Sequence, residues 1–107
     1  GFQSMLCNQT GVNNTAVGVC SLHCNTASKN VAMGHQSLMF NTTGTENVAV
    51  GQNTLYCNTT ASYNIAVGRS ALLNNTTGAC NIAIGTCAMD STTTSSSNIA
   101  IGFEPYV

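Results

Sequence analysis

The pentapeptide CSLHC sets Cys20, His23 and Cys24 within five residues, the densest cluster of nucleophilic and metal-ligating side chains in the 107-residue sequence. Two thiols and an imidazole are soft ligands of the kind that hold zinc or copper. The other reactive groups are scattered: Cys7, Cys57, Cys80 and Cys87, His35, and the carboxylates Glu46, Asp90 and Glu104. General acid–base catalysis needs partners within hydrogen-bond reach of one reacting proton, and a nucleophile needs an adjacent base. Neither histidine has a neighbouring acid in sequence, and the carboxylates stand far apart. Whether any of these groups meet depends on how often, and in what register, the backbone returns on itself.

The return is written into the sequence. NVAMG, NVAVG, NIAVG, NIAIG and NIAIG begin at Asn30, Asn47, Asn64, Asn81 and Asn98, and a looser NTAVG begins at Asn14. Their closing glycines, Gly18, Gly34, Gly51, Gly68, Gly85 and Gly102, are separated by 16, 17, 17, 17 and 17 residues, and Gly1 stands 17 before Gly18. A fixed short period implies a solenoid. Each unit also carries Met5, Leu22, Leu38, Leu55, Leu72 or Met89 four residues after the glycine. The one short unit has lost a position in its turn, NTASKN, with both apolar columns intact.

Alternating β-branched residues around a central Ala indicate a short strand, and seventeen residues with two Gly/Asn-punctuated turns leave no room for a helix. The expected fold is therefore all-β: a parallel β-solenoid of about six coils of 17 residues, two short strands per coil, forming a single domain over residues 1–107. Its expected core is Leu22, Val31, Met33, Leu38, Val48, Val50, Leu55, Ile65, Val67, Leu72, Ile82, Ile84, Met89, Ile99 and Ile101. Stacked coils turn every column into a ladder with rungs about 4.8 Å apart. The side-chain amides of Asn14, Asn30, Asn47, Asn64, Asn81 and Asn98 are expected to link rung to rung by hydrogen bonds. Ala16, Ala32, Ala49, Ala66, Ala83 and Ala100 then point away from the core, a flat apolar strip suited to packing against another chain.

In this frame Cys20 and Cys24 fall in different columns, which counts against a metal site, and neither a metal nor a cofactor is expected. Cys7, Cys24 and Cys57 share one column, with Cys7 and Cys24 on adjacent rungs as candidates for a disulfide. Cys80 and Cys87 flank one pentapeptide and are a second candidate pair, meeting across a corner. Cys20 and Cys87 share a column four rungs apart, roughly 19 Å, too far to pair within one chain. Glycosylation sequons occur at Asn8, Asn13, Asn41, Asn58, Asn74 and Asn75, although a repeat ending in NTT produces them for structural reasons.

Composition narrows the function. Charged residues make up 5% of the chain and the net charge is −1, which leaves no electrostatic footprint for nucleic acid or anionic lipid. No apolar run is long enough to span a membrane. Six cysteines suit an extracellular or virion-surface setting.

The repeated pentapeptide with its intervening small-Leu segment resembles the head repeats of trimeric autotransporter adhesins, and the NTTGxxNTAVGxxAL repeats of phage tail fibres and related surface fibres. The resemblance covers Gly1 to Gly102. It implies a left-handed parallel β-roll with three chains around one axis and the Ala-bearing strands toward the trimer centre. Adhesin heads repeat at a shorter period than this unit and are not usually rich in cysteine.

These readings converge on a non-enzymatic, extracellular fibre or filament subunit. Its partner is itself, as a homo-oligomer and in head-to-tail stacks, with an adhesive role toward a host surface receptor carried by variable residues such as His35, Glu46, Tyr63, Arg69 and Asp90. An ice-binding solenoid presenting a Thr/Asn face is the alternative, since Thr42/Thr43, Thr59/Thr60, Thr76/Thr77 and Thr93/Thr94 form columns.

Overall fold

The computed structural model describes residues 1–103; within the terminal piece 102–107, Glu104 and Pro105 lie outside the described residues. Six strands of three residues each, β1 (Thr15–Val17), β2 (Val31–Met33), β3 (Val48–Val50), β4 (Ile65–Val67), β5 (Ile82–Ile84) and β6 (Ile99–Ile101), form one sheet in sequence order. Every neighbouring pair is parallel and in register, with Ala16↔Ala32, Ala32↔Ala49, Ala49↔Ala66, Ala66↔Ala83 and Ala83↔Ala100. The chain is thus a β-solenoid that winds once per 17 residues, its rod measuring 36 × 21 × 17 Å. No helix occurs among the described residues.

Each coil has one strand rather than two. The Leu-bearing arm is a run of turns in which two residues adopt left-handed backbone, as at Asn53 (φ 57°) and Leu55 (φ 51°). This arm still bonds to the next coil: Leu38 N–H donates to Thr54 O and Leu55 N–H to Ala71 O, both at 3.0 Å. Left-handed backbone is unfavourable for a residue with a Cβ, so it persists only where the surroundings enforce it. Here the stacked copies do so, since Leu22, Leu38 and Leu72 repeat the conformation.

The interior is where Leu and Ala meet. Leu22, Leu38, Leu55 and Leu72 are fully buried, as are Ala32, Ala49, Ala66 and Ala83, and Met89 continues the Leu column. The expected orientation of the strands is therefore inverted. Ala16, Ala32, Ala49, Ala66, Ala83 and Ala100 pack inside the coil against the Leu column, not against another chain. Val31, Met33, Val48, Val50, Ile65, Val67, Ile82, Ile84, Ile99 and Ile101 lie half-buried or exposed on the outer face. Alternation determines which residues share a face but not which face is inside. A coil this flat has room for Leu against methyl groups and none for Leu against Val or Ile.

Two files of asparagine line the interior beside this core. In the expected one, the donor common to every rung is the backbone N–H in place of the side-chain amide, and it donates to the Oδ1 of the Asn one coil earlier: Asn30 to Asn14, Asn47 to Asn30, Asn64 to Asn47, Asn81 to Asn64 and Asn98 to Asn81, at 2.9–3.0 Å. The second file, Asn8, Asn25, Asn41, Asn58 and Asn75, bonds amide to amide; Asn41 Nδ2 donates to Asn25 Oδ1 at 2.7 Å and Asn58 Nδ2 to Asn41 Oδ1 at 2.8 Å. Both files converge on one carbonyl per coil. Gly44 O accepts from Asn30 Nδ2 and Asn41 Nδ2, and Ala61 O from Asn47 Nδ2 and Asn58 Nδ2. Buried amides are costly unless satisfied, and this arrangement satisfies them by repetition.

The missing residue of the short unit is visible here. Asn8, Asn41, Asn58 and Asn75 reach a carbonyl three residues ahead, whereas Asn25 reaches Ala27, two ahead, at 2.6 Å.

A coil-pair pattern overlies the single-coil repeat. The column Gly11, Ala27, Gly44, Ala61, Gly78, Ser95 alternates Gly with a larger residue, and Ser28, Ser62 and Ser96 follow the larger ones. Their hydroxyls accept from the N–H of Val12, Thr45 and Ala79, each at 2.9 Å, on the preceding coil. A Cβ on Gly44 would lie 2.1 Å from Ala61 O. Glycine there permits the approach that brings the Ser hydroxyl into reach.

Candidate functional site

The strands turn their β-branched residues outward, so the sheet presents two parallel columns along the whole rod. Every outward position except Thr15 is Val, Ile or Met. Exposure is 39% at Ile65 and 38% at Ile84 and rises to 69% at Ile99, so these side chains cover one another only in part. Six rungs make a flat apolar strip about 24 Å long. Exposed Lys29, Glu46 and Tyr63 precede the strands, and exposed His35, Gln52 and Arg69 follow the glycine corners. A continuous apolar surface with a polar border is the mark of an interaction site, and what it can do chemically is exclude water against another flat surface.

The reactive residues are not brought together in that way. Glu46 and Asp90 stay on separate coils, and among the described residues no group of three or more His, Cys, Asp or Glu converges. Within CSLHC, Cys24 Sγ lies 3.5 Å from His23 Nδ1, while Cys20 Sγ turns to Gln3 Oε1 at 3.7 Å. All six cysteines are free thiols. Cys80 precedes β5 and Cys87 follows it, and both thiols are free.

The sequons divide. Asn41, Asn58 and Asn75 are fully buried with their amides in the interior file, which leaves no path for a glycan. Asn13 and Asn74 are exposed.

One Thr column is committed to the ladder: the hydroxyls of Thr26, Thr42 and Thr76 donate to Thr42 O, Thr59 O and Thr93 O at 3.0–3.1 Å.

The second Asn file and the outward apolar face are the features the sequence reading did not anticipate. The file had a signal, an Asn seven residues after the glycine on five successive units, but turns are rich in Asn for other reasons. No family model, curated protein or solved structure matches this chain.

Proposed function

We propose that the chain is a non-enzymatic structural segment of an extracellular or virion-surface fibre, and that it self-associates through the outward Val/Ile face. The observation that carries this reading is the unbroken apolar strip on a rod with almost no charge. A second copy is the occupant that fits. Two sheets pack face to face about 10 Å apart with interdigitating side chains, and columns spaced at about 4.8 Å mesh best with columns of the same spacing.

The resemblance to adhesin heads and tail-fibre repeats supports the same reading, with the face of association moved from Ala to Val/Ile. Further coils added at β1 or β6 would lengthen the rod without changing its cross-section, whether they come from one chain or from stacked copies. The exposed His35, Glu46, Tyr63 and Arg69 then form the rim available to a surface receptor. The fibre reading is favoured over ice binding because the hydroxyls of Thr26, Thr42 and Thr76 are already donated to backbone carbonyls.

Light scattering after size exclusion tests the proposal. The expected result is a mass at a multiple of 11.0 kDa, falling to the single-chain mass when Val50→Lys and Val67→Lys are combined. A wild-type chain that runs as a single copy at micromolar concentration overturns it.

A further inference from the structure

Cys7 and Cys24 share a column on neighbouring coils, and no other pair of this chain's cysteines does so. Cys57 has Phe40 and Asn74 beside it in that column, Cys20 has Gln3 and Gln36 in its own, and Cys80 has Tyr63 and Ser97. The register of the pair is set by the backbone. Cys7 N–H donates to His23 O at 3.0 Å, the same relation by which Thr15 N–H donates to Asn30 O at 2.9 Å where Thr15 pairs with Val31. Cys7 and Cys24 are therefore directly opposed, at a rung spacing of about 4.8 Å. That lies inside the range of roughly 4.4–6.8 Å between Cα atoms joined by a disulfide.

Three further observations concern the same place. Cys7 is exposed while Cys24 is half-buried. The Cys24 thiol is pushed above its ordinary pKa by burial and by the neighbouring Cys7, and it lies 3.5 Å from His23 Nδ1. The side-chain link between these two coils is also the loosest in its file: Asn25 Nδ2 to Asn8 Oδ1 is 3.4 Å, against 2.7 Å for Asn41 to Asn25.

We propose that Cys7 and Cys24 form an intramolecular disulfide that staples the first coil to the second, made by exchange with a low-molecular-weight disulfide such as oxidised glutathione. The exposed Cys7 thiolate attacks one sulfur of the oxidant, forming a mixed disulfide and releasing one glutathione thiol. Cys24 then passes its proton to His23 Nδ1, and its thiolate attacks the Cys7 sulfur. The mixed disulfide breaks, the Cys7–Cys24 bond forms, and the second glutathione leaves as a thiol. Two protein thiols are oxidised by two electrons and one disulfide is reduced to two thiols, so the exchange balances. This proposal stands independently of the self-association above.

The test incubates the reduced, folded chain with oxidised glutathione, quenches by alkylation and maps the cysteines by mass spectrometry. Chymotryptic cleavage after Leu22 separates Cys24 from Cys7 and Cys20. The expected result is loss of two alkylatable thiols, a fragment pair linked through Cys7 and Cys24, and the same bridge in C20S and C57S. C7S and C24S lose it, and C24S retains a glutathione adduct on Cys7. His23→Gln is expected to prolong the wild-type Cys7 adduct several-fold. Six alkylatable thiols after incubation, stable adducts without a bridge, or bridges only between chains would overturn the proposal, and an unchanged adduct lifetime in His23→Gln would overturn the proton transfer to the imidazole.

Discussion

Asn75 Oδ1 is buried with no donor, because the column that runs through Asn25, Asn41 and Asn58 changes to Thr92 on the next coil. The interior file is thus a chain of amides whose value depends on having a like neighbour. An asparagine at 92 would place its Nδ2 beside Asn75 Oδ1, with Ser95 O taking the role that Gly78 O plays for Asn75. Thr92→Asn is therefore expected to stabilise the fold by about 1 kcal/mol, the usual net worth of a satisfied buried hydrogen bond, read from the urea midpoint. Removing a middle member does the opposite. Asn58→Ala takes away the donor to Asn41 Oδ1 and Ala61 O and the acceptor for Asn75 Nδ2. The expected loss is about 2–4 kcal/mol, since buried groups left unpaired cost about 1–3 kcal/mol each. A loss well under 1 kcal/mol in the same unfolding experiment would mean the file is open to water.

At the scale of the coil, the inward strand face makes a sharp distinction between neighbours in sequence. Ala66 is fully buried against the Leu column while Ile65 is 39% exposed. Ala66→Leu is expected to destabilise the single chain by about 1–3 kcal/mol through overpacking, and Leu55→Ala by about 2–5 kcal/mol through the cavity it leaves. Ile65→Thr should leave the stability of the dissociated chain nearly unchanged. Equal tolerance at 65 and 66 in denaturant melts would contradict this orientation. Gly51 is equally constrained, at φ +131° with a would-be Cβ 2.7 Å from Gly68 C.

The period, the parallel strands, the Leu column and the Asn14–Asn98 file were all legible in the sequence, because each depends only on spacing. The faces of the strands were not. In Val-Ala-Val the bulkier residues suggest an interior, yet the arm opposite is already filled by Leu38 and Leu55. The absence of a second strand in each coil was not legible, because a Leu preceded by a small residue gives no local sign that its backbone is left-handed.

The whole molecule is a repeating stack in which each coil is held chiefly by copies of itself, and the proposed function rests on the face the stack leaves outside. A rod with an apolar strip on one face is expected to associate, and lysine on that strip to prevent it, as the light-scattering experiment would read. All of this depends on like residues standing in one file along the axis, with Leu and Ala facing inward together. Methyl-selective NMR measures that arrangement most directly. Through-space contacts are expected to link the methyls of Leu38, Leu55 and Leu72 to one another and to Ala49 and Ala66, residues that pack in one buried cluster. Leu methyls that contact Val48, Val50 or Ile65 in place of the alanines, or only their own neighbours in sequence, would contradict it.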